Sequence, residues 1–137
     1  MATASVTNLD ALKCVSFCFD FSKLGGAVGT YNMGVRLPAG AVIVNAFADV
    51  ITAPTSADST ATIAVAVESA NDIFTAAAVS GAPWSTTGRK QGIPDLATVA
   101  DYKKTTVERQ ATVAIAVQAL TAGKFDVYLM YVCNATA

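Results

Sequence analysis

Apolar and polar positions alternate along most of this chain, and the alternation has the two-residue period of β-strands. In residues 14–21, CVSFCFDF, one face carries Val15, Phe17, Phe19 and Phe21, and the other carries Cys14, Ser16, Cys18 and Asp20. That bulky aromatic face is expected to contribute to the core. Residues 28–36 read as a weaker strand, and Pro38 with Gly40 as a turn. Residues 41–52 form a long strand with Val42, Val44, Ala46, Ala48 and Val50 on one face and Ile43, Asn45, Phe47, Asp49 and Ile51 on the other. Residues 52–59 are polar and read as a loop, and 60–67 are a strand with Ile63, Val65 and Val67 inward. Residues 68–78, ESANDIFTAAA, have helical potential: Ser69 can cap, and Ile73, Ala76 and Ala77 share a face. A short helix or an irregular connection is expected there. Residues 79–97 carry three glycines, two prolines and the only tryptophan, and read as a long loop. A further strand is expected over 98–107. Residues 105–132 read as two strands joined at Leu120-Thr121-Ala122-Gly123, with Gly123 supplying a positive φ to a tight hairpin turn.

Two of these strands repeat in reverse order. The stretch 61–67, ATIAVAV, is nearly 111–117, ATVAIAV, and 37–50, LPAGAVIVNAFADV, resembles the last strand with its LTAG lead. If 41–52 lies antiparallel to 124–132, and 61–67 to 111–118, the pairs are nested. The chain then folds as a long hairpin wrapped on itself, which is the plan of a jelly roll. The fold class expected is therefore all-β, an antiparallel two-sheet β-sandwich of jelly-roll type; a simpler Greek-key sandwich is the alternative.

The 137 residues suit one domain, 13–137, preceded by an N-terminal arm, 1–12. Such a length buries about two-thirds of its unfolded surface without a disulfide or metal staple. Only 14% of residues are charged while 53% are apolar, against a usual charged share of about 25%. A surface so poor in charge is expected to be covered by other chains in an oligomer, with a stable monomer of Ala/Thr-rich surface as the alternative. Net charge is −1, and the longest basic runs are the pairs Arg89-Lys90 and Lys103-Lys104. No basic footprint for direct nucleic-acid binding is visible. The N-terminus lacks the apolar core of a signal peptide, and no uncharged apolar run approaches a membrane span.

Three cysteines are present. Cys14 and Cys18 share a strand face roughly 13 Å apart, beyond the about 7 Å that a disulfide spans. Cys133 could pair with either if the terminal strands are neighbours. The odd count and the missing signal favour free, buried thiols made in a reducing cytoplasm. With no histidine and one further cysteine, C-x3-C does not make a zinc site. Gly25-Gly26-Ala27-Val28-Gly29 lacks the Lys-Ser/Thr of a phosphate loop. No nucleophile–base arrangement can be assembled, so no enzyme activity, cofactor or small-molecule substrate is expected. Ten carboxylates are spread along the chain, and only two of them meeting in space would reopen a glycosidase-type reading.

Residues 36–132 carry a further signal. The Leu-x-Ala-Gly strand leads, the Thr/Ala-rich strands and the closing LTAGKFDVYLMYV resemble structural proteins of tailed-bacteriophage particles, in particular jelly-roll head decoration (cement) proteins. The resemblance implies a virion protein on the capsid exterior, made in the host cytoplasm, whose partners are the major capsid protein and copies of itself. A tail or fibre protein binding the host surface is the alternative, and a carbohydrate-binding sandwich, supported by Trp84 and the tyrosines, is a third reading. The expected partner contacts are Leu9 and Leu12 in the arm, and Trp84, Arg89 and Lys90 in the 79–97 loop. Trp84 is either such an anchor or a plug over the open end of the core.

Overall fold

A computed structural model describes residues 12–133. Among these the chain forms β1 (Lys13–Asp20), a one-turn helix α1 (Phe21–Leu24), β2 (Gly29–Leu37), β3 (Val42–Ser56), β4 (Thr62–Ala66) and β5 (Phe74–Ala78). It continues through β6 (Gly88–Asp95), a 3-10 turn at Val99–Asp101, β7 (Lys103–Lys104), β8 (Arg109–Ala116) and β9 (Leu120–Val132). One sheet has the order β1-β9-β3-β6, with the two-residue β7 added beside β3; the other has the order β2-β8-β4-β5. Every pairing is antiparallel. This is a two-sheet β-sandwich with jelly-roll connectivity.

The echoed strands are the ones that pair. β3 runs beside β9 with Phe47 opposite Tyr128 and Val50 opposite Phe125. β4 runs beside β8 with Ile63 opposite Ile115 and Val65 opposite Val113. The β4/β8 pair thus contributes a matched set of β-branched groups to the core, while the β3/β9 pair sets the small Ala46, Ala48 and Val50 against the larger Leu129, Val127 and Phe125. A bulge between Ile43 and Asn45 re-aims the start of β3. Fully buried Ile43 therefore joins Ala46, Ala48 and Val50 inside, while Val42 of the expected inner face is half-buried. Phe17 and Phe19 enter from β1, and Phe19 stacks on Phe125 with ring centroids 5.3 Å apart.

Five expectations are corrected. β3 runs on to Ser56, so residues 52–56 of the loop expected over 52–59 are strand. The last two strands are not a hairpin: β8 belongs to one sheet and β9 to the other. The connection between them is 117–119, and the Leu-Thr-Ala-Gly stretch lies inside β9. Gly123 does have a positive φ of 142°, but it serves a bulged crossing where any Cβ would come within 2.9 Å of Pro54. Residues 68–78 are not helical. Buried Asp72 accepts hydrogen bonds from the backbone N–H groups of Val67, Glu68 and Ser69 at 2.9, 2.8 and 3.0 Å, which ties 67–72 into a compact loop. The chain leaves that loop extended, as β5. Within 79–97 lies β6, an edge strand that tolerates Gly92 and Pro94. Gly92 is needed because a Cβ would meet the Ala46 carbonyl at 2.8 Å. The Gln91 amide donates to the Asn45 side chain and to the Ala46 and Pro94 carbonyls, each at 2.9 Å, and so replaces ladder bonds that the proline interrupts. Finally, only Lys103–Lys104 of the strand expected over 98–107 is extended and paired.

Candidate functional site

The expected contact residues do not form one site. Leu9 lies outside the described residues. Leu12, just before β1, is 55% exposed. Arg89 and Lys90 are on edge strand β6, where Arg89 stands opposite Asp49 and Lys90 opposite Ala48; Lys90 donates to the Thr86 hydroxyl. Trp84 is corrected as an anchor. It is fully buried, its ring packs against Phe125 at 4.7 Å and Phe74 at 5.4 Å, and its indole N–H donates to the Ile63 carbonyl at 3.3 Å. It closes the core between the sheets and presents no surface to a partner.

The cysteines also differ from expectation. Cys14 and Cys18 are exposed, because the face opposite Phe17 and Phe19 looks outward. The Cys14 and Cys18 thiols are free, and the Cys133 thiol donates to the Ala39 carbonyl at 3.8 Å. The Cys18 thiol is pushed up to about 11 by partial desolvation, then by its hydrogen bond to Asp126 and by that carboxylate's charge. It therefore stays protonated at neutral pH and is a poor nucleophile.

Exposed apolar side chains gather at the two ends of the sandwich. Leu12, Leu96, Val99 and Val107 lie at the end where β1 begins and β9 finishes; Leu24, Val28 and Val117 lie at the other. Val117 is 73% exposed and has a φ of 72°, a costly conformation for a β-branched residue. Its neighbour Gln118 fixes the tip by accepting from the Asp58 backbone N–H at 2.8 Å and donating to the Asp58 carboxylate at 3.0 Å.

Sequence reasoning missed the outer face of the β1-β9-β3-β6 sheet. Register places three rows across it: Cys14–Met130–Asn45, Ser16–Tyr128–Phe47–Gln91 and Cys18–Asp126–Asp49–Arg89. The Phe47 and Tyr128 rings stack at 4.8 Å. Asp49 and Asp126 are directly opposite on adjacent strands. The signal was present: Phe47-Ala48-Asp49 read against Asp126-Val127-Tyr128 in antiparallel order makes both pairs.

A separate ion pair fastens the opposite sheet to its loops. The Arg109 guanidinium donates to both Glu68 oxygens, at 2.8 and 3.2 Å, while Thr106 donates its N–H at 3.1 Å and its hydroxyl at 2.8 Å. The Arg109 hydrogen bond first, then those of Thr106, hold the Glu68 carboxyl at about 2, below its ordinary 4.5. A depressed carboxyl pKa stabilises the fold above about 4.5 and loses that contribution as pH falls through about 2. The expected result is that Glu68→Gln lowers the melting temperature at pH 5–7, and that its gap from the unmodified chain closes as pH falls from about 4.5 to about 2. A gap independent of pH would show that the carboxylate charge is not what acts.

Among the described residues no group of three or more His, Cys, Asp or Glu side chains could hold a metal ion, and no helix is long and apolar enough to cross a membrane. No protein-family model matches the chain, and no curated protein matches it. Three solved structures share its fold. One is a chain of the capsid of Ralstonia phage GP4, with a TM-score of 0.66 and 20% identity over 98% of this chain and 93% of that one. Another is a chain of the cyanophage Pam1 capsid asymmetric unit, at 0.63 and 19% over 98% and 94%. The third is a chain of the acidic stable capsid structure of Helicobacter pylori bacteriophage KHP30, at 0.63 and 18% over 89% and 87%. At these identities what is shared is the fold: a jelly-roll sandwich of the same extent, found in three bacteriophage capsid structures.

Proposed function

We propose that this chain is a capsid-associated structural protein of a tailed bacteriophage, and that it acts as a decoration or cement protein on the outside of the head. The observation that carries the reading is the match, over 89–98% of the chain, to chains from three phage capsid structures. The surface supports it: charge is sparse, and apolar side chains are exposed at both ends of the sandwich. In this role the partners are the major capsid protein and further copies of the chain, as a homodimer or homotrimer. Each clip across neighbouring capsid proteins is modest, and many identical clips act together. The single domain 13–137 forms the body, and the arm 1–12, with Leu9 and Leu12, joins Arg89 and Lys90 as contacts. The chain would be made in the host cytoplasm and would carry no enzymatic step.

Cryo-electron microscopy of purified particles tests this. The expected result is many copies on the outer shell, bridging capsid proteins. A few copies at the tail would move the chain to the tail or fibre reading, and copies forming the shell itself would make it a capsid subunit rather than a clip. Absence from particles would overturn the virion reading altogether.

A further inference from the structure

On the outer face of the β1-β9-β3-β6 sheet two carboxylates stand in direct cross-strand register, and the Cys18 thiol hydrogen-bonds to one of them, Asp126. Asp49 and Asp126 are cross-strand neighbours in the middle of the sheet, and like charges so placed destabilise a sheet. Among the described residues the ion pairs are Arg36–Glu108 and Arg109–Glu68, so neither aspartate is neutralised by one. Arg89 stands opposite Asp49 in register but closes no ion pair with it. In the next row, Lys124 faces Asp20, whose carboxylate is already engaged by the Ser22 hydroxyl at 2.7 Å. One residue pair further along the same strands, Phe47 and Tyr128 form a stacked aromatic surface beside the two carboxylates. Both pairs sit on central strands, whose backbone is fixed by ladders on both sides.

We propose that this face is a docking surface for an arginine presented by a partner protein. A guanidinium is planar and always charged, stacks on aromatic rings and forks to carboxylate oxygens. The rows offer those partners side by side: the Phe47–Tyr128 stack for the plane, and Asp49 and Asp126 for the fork. The partner's charge removes the repulsion that the free protein carries, so charge complementarity selects the occupant. A second copy of this chain fits less well, because with Arg89 of the same row it brings two further carboxylates, Asp49 and Asp126, to the contact. The proposal extends the capsid reading, since on a phage head the arginine would belong to a neighbouring capsid protein, but the surface chemistry stands without it.

Two experiments separate the two ideas. In the first, the full chain labelled with nitrogen-15 is titrated with the blocked peptide Gly-Arg-Gly, followed by amide NMR, with Gly-Gln-Gly as the control. Shifts centred on Phe47, Asp49, Asp126 and Tyr128 are expected with the arginine peptide alone, and are expected to vanish in Asp49→Asn/Asp126→Asn. Equal shifts with the glutamine peptide, no shifts, or shifts that survive the double substitution would overturn the proposal. So would an oligomer of the free chain that sedimentation shows to be dissolved by Asp49→Asn/Asp126→Asn, because the occupant would then be a second copy. The double variant relieves a repulsion, so its melting temperature is expected to equal or exceed that of the unmodified chain.

In the second, phage heads lacking this protein are mixed with either chain and sedimented. The double variant is expected to bind about tenfold more weakly, and the unmodified chain to lose affinity as salt rises from about 50 to about 500 mM. Equal binding of both chains would overturn the arginine surface and leave the capsid reading standing. Failure of the unmodified chain to bind would overturn the capsid reading, and the peptide titration would then decide the surface chemistry.

Discussion

Replacing Trp84 with alanine is expected to lower the unfolding free energy by about 3–5 kcal/mol, the range for deleting a large aromatic side chain from a packed core. Three things are lost together. The ring is fully buried. It bridges the sheets by touching Phe125 on one and Phe74 on the other, at 4.7 and 5.4 Å. Its N–H satisfies the Ile63 carbonyl on β4. Urea unfolding followed by far-ultraviolet circular dichroism measures the change, since the substitution removes the only tryptophan as a fluorescent probe. Trp84→Phe is expected to recover part of the loss by filling most of the space. A loss below about 1 kcal/mol for alanine would mean that the ring does not close the core.

The second large effect is expected at Asp72. The carboxylate is 5% exposed and accepts from three consecutive backbone N–H groups. Alanine would strand the buried Val67 N–H and the half-buried donors of Glu68 and Ser69 beside it, at an expected cost of about 3 kcal/mol, since a buried unsatisfied donor costs about 1–3 kcal/mol and the exposed part of the loop can relax toward water. Asparagine keeps one acceptor oxygen and is expected to cost less. Hydrogen exchange localises the effect: the amides of Val67, Glu68 and Ser69 should lose protection in Asp72→Ala while those of β8 and β9 keep theirs. Unchanged protection at 67–69 would show that the loop is held by other means.

These two residues also mark where the fold was and was not legible. Trp84 is one bulky group in a stretch of glycine and proline, and composition alone offered it both as plug and as anchor. Strand periodicity worked wherever a strand is buried on one face. It placed Phe17 and Phe19 inside, and the reversed repeat placed β3 against β9 and β4 against β8. It failed at two of the edge strands, β5 and β6. β5, FTAAA, reads as helix because alanine favours helices in isolation, and tertiary pairing with β4 overrides that preference. β6 hides behind Gly92 and Pro94, which an edge strand accepts and a central strand does not. β8 and β9 looked like a hairpin because proximity in sequence suggests pairing, and the apolar alternation does not say which sheet a strand joins. The outer-face rows needed the register of β3 against β9 before the two aspartates could be seen as neighbours.

The position of β9 has a consequence for synthesis. It is the late strand of the chain, yet it lies between β1 and β3 and holds both in place. While β9 is still being made, β1 and β3 lack the strand that joins them into one sheet and completes the apolar face carrying Phe17, Phe19, Ala46 and Val50. The β1-β9-β3-β6 sheet is joined up only when β9 pairs, so its closure follows synthesis of that late strand.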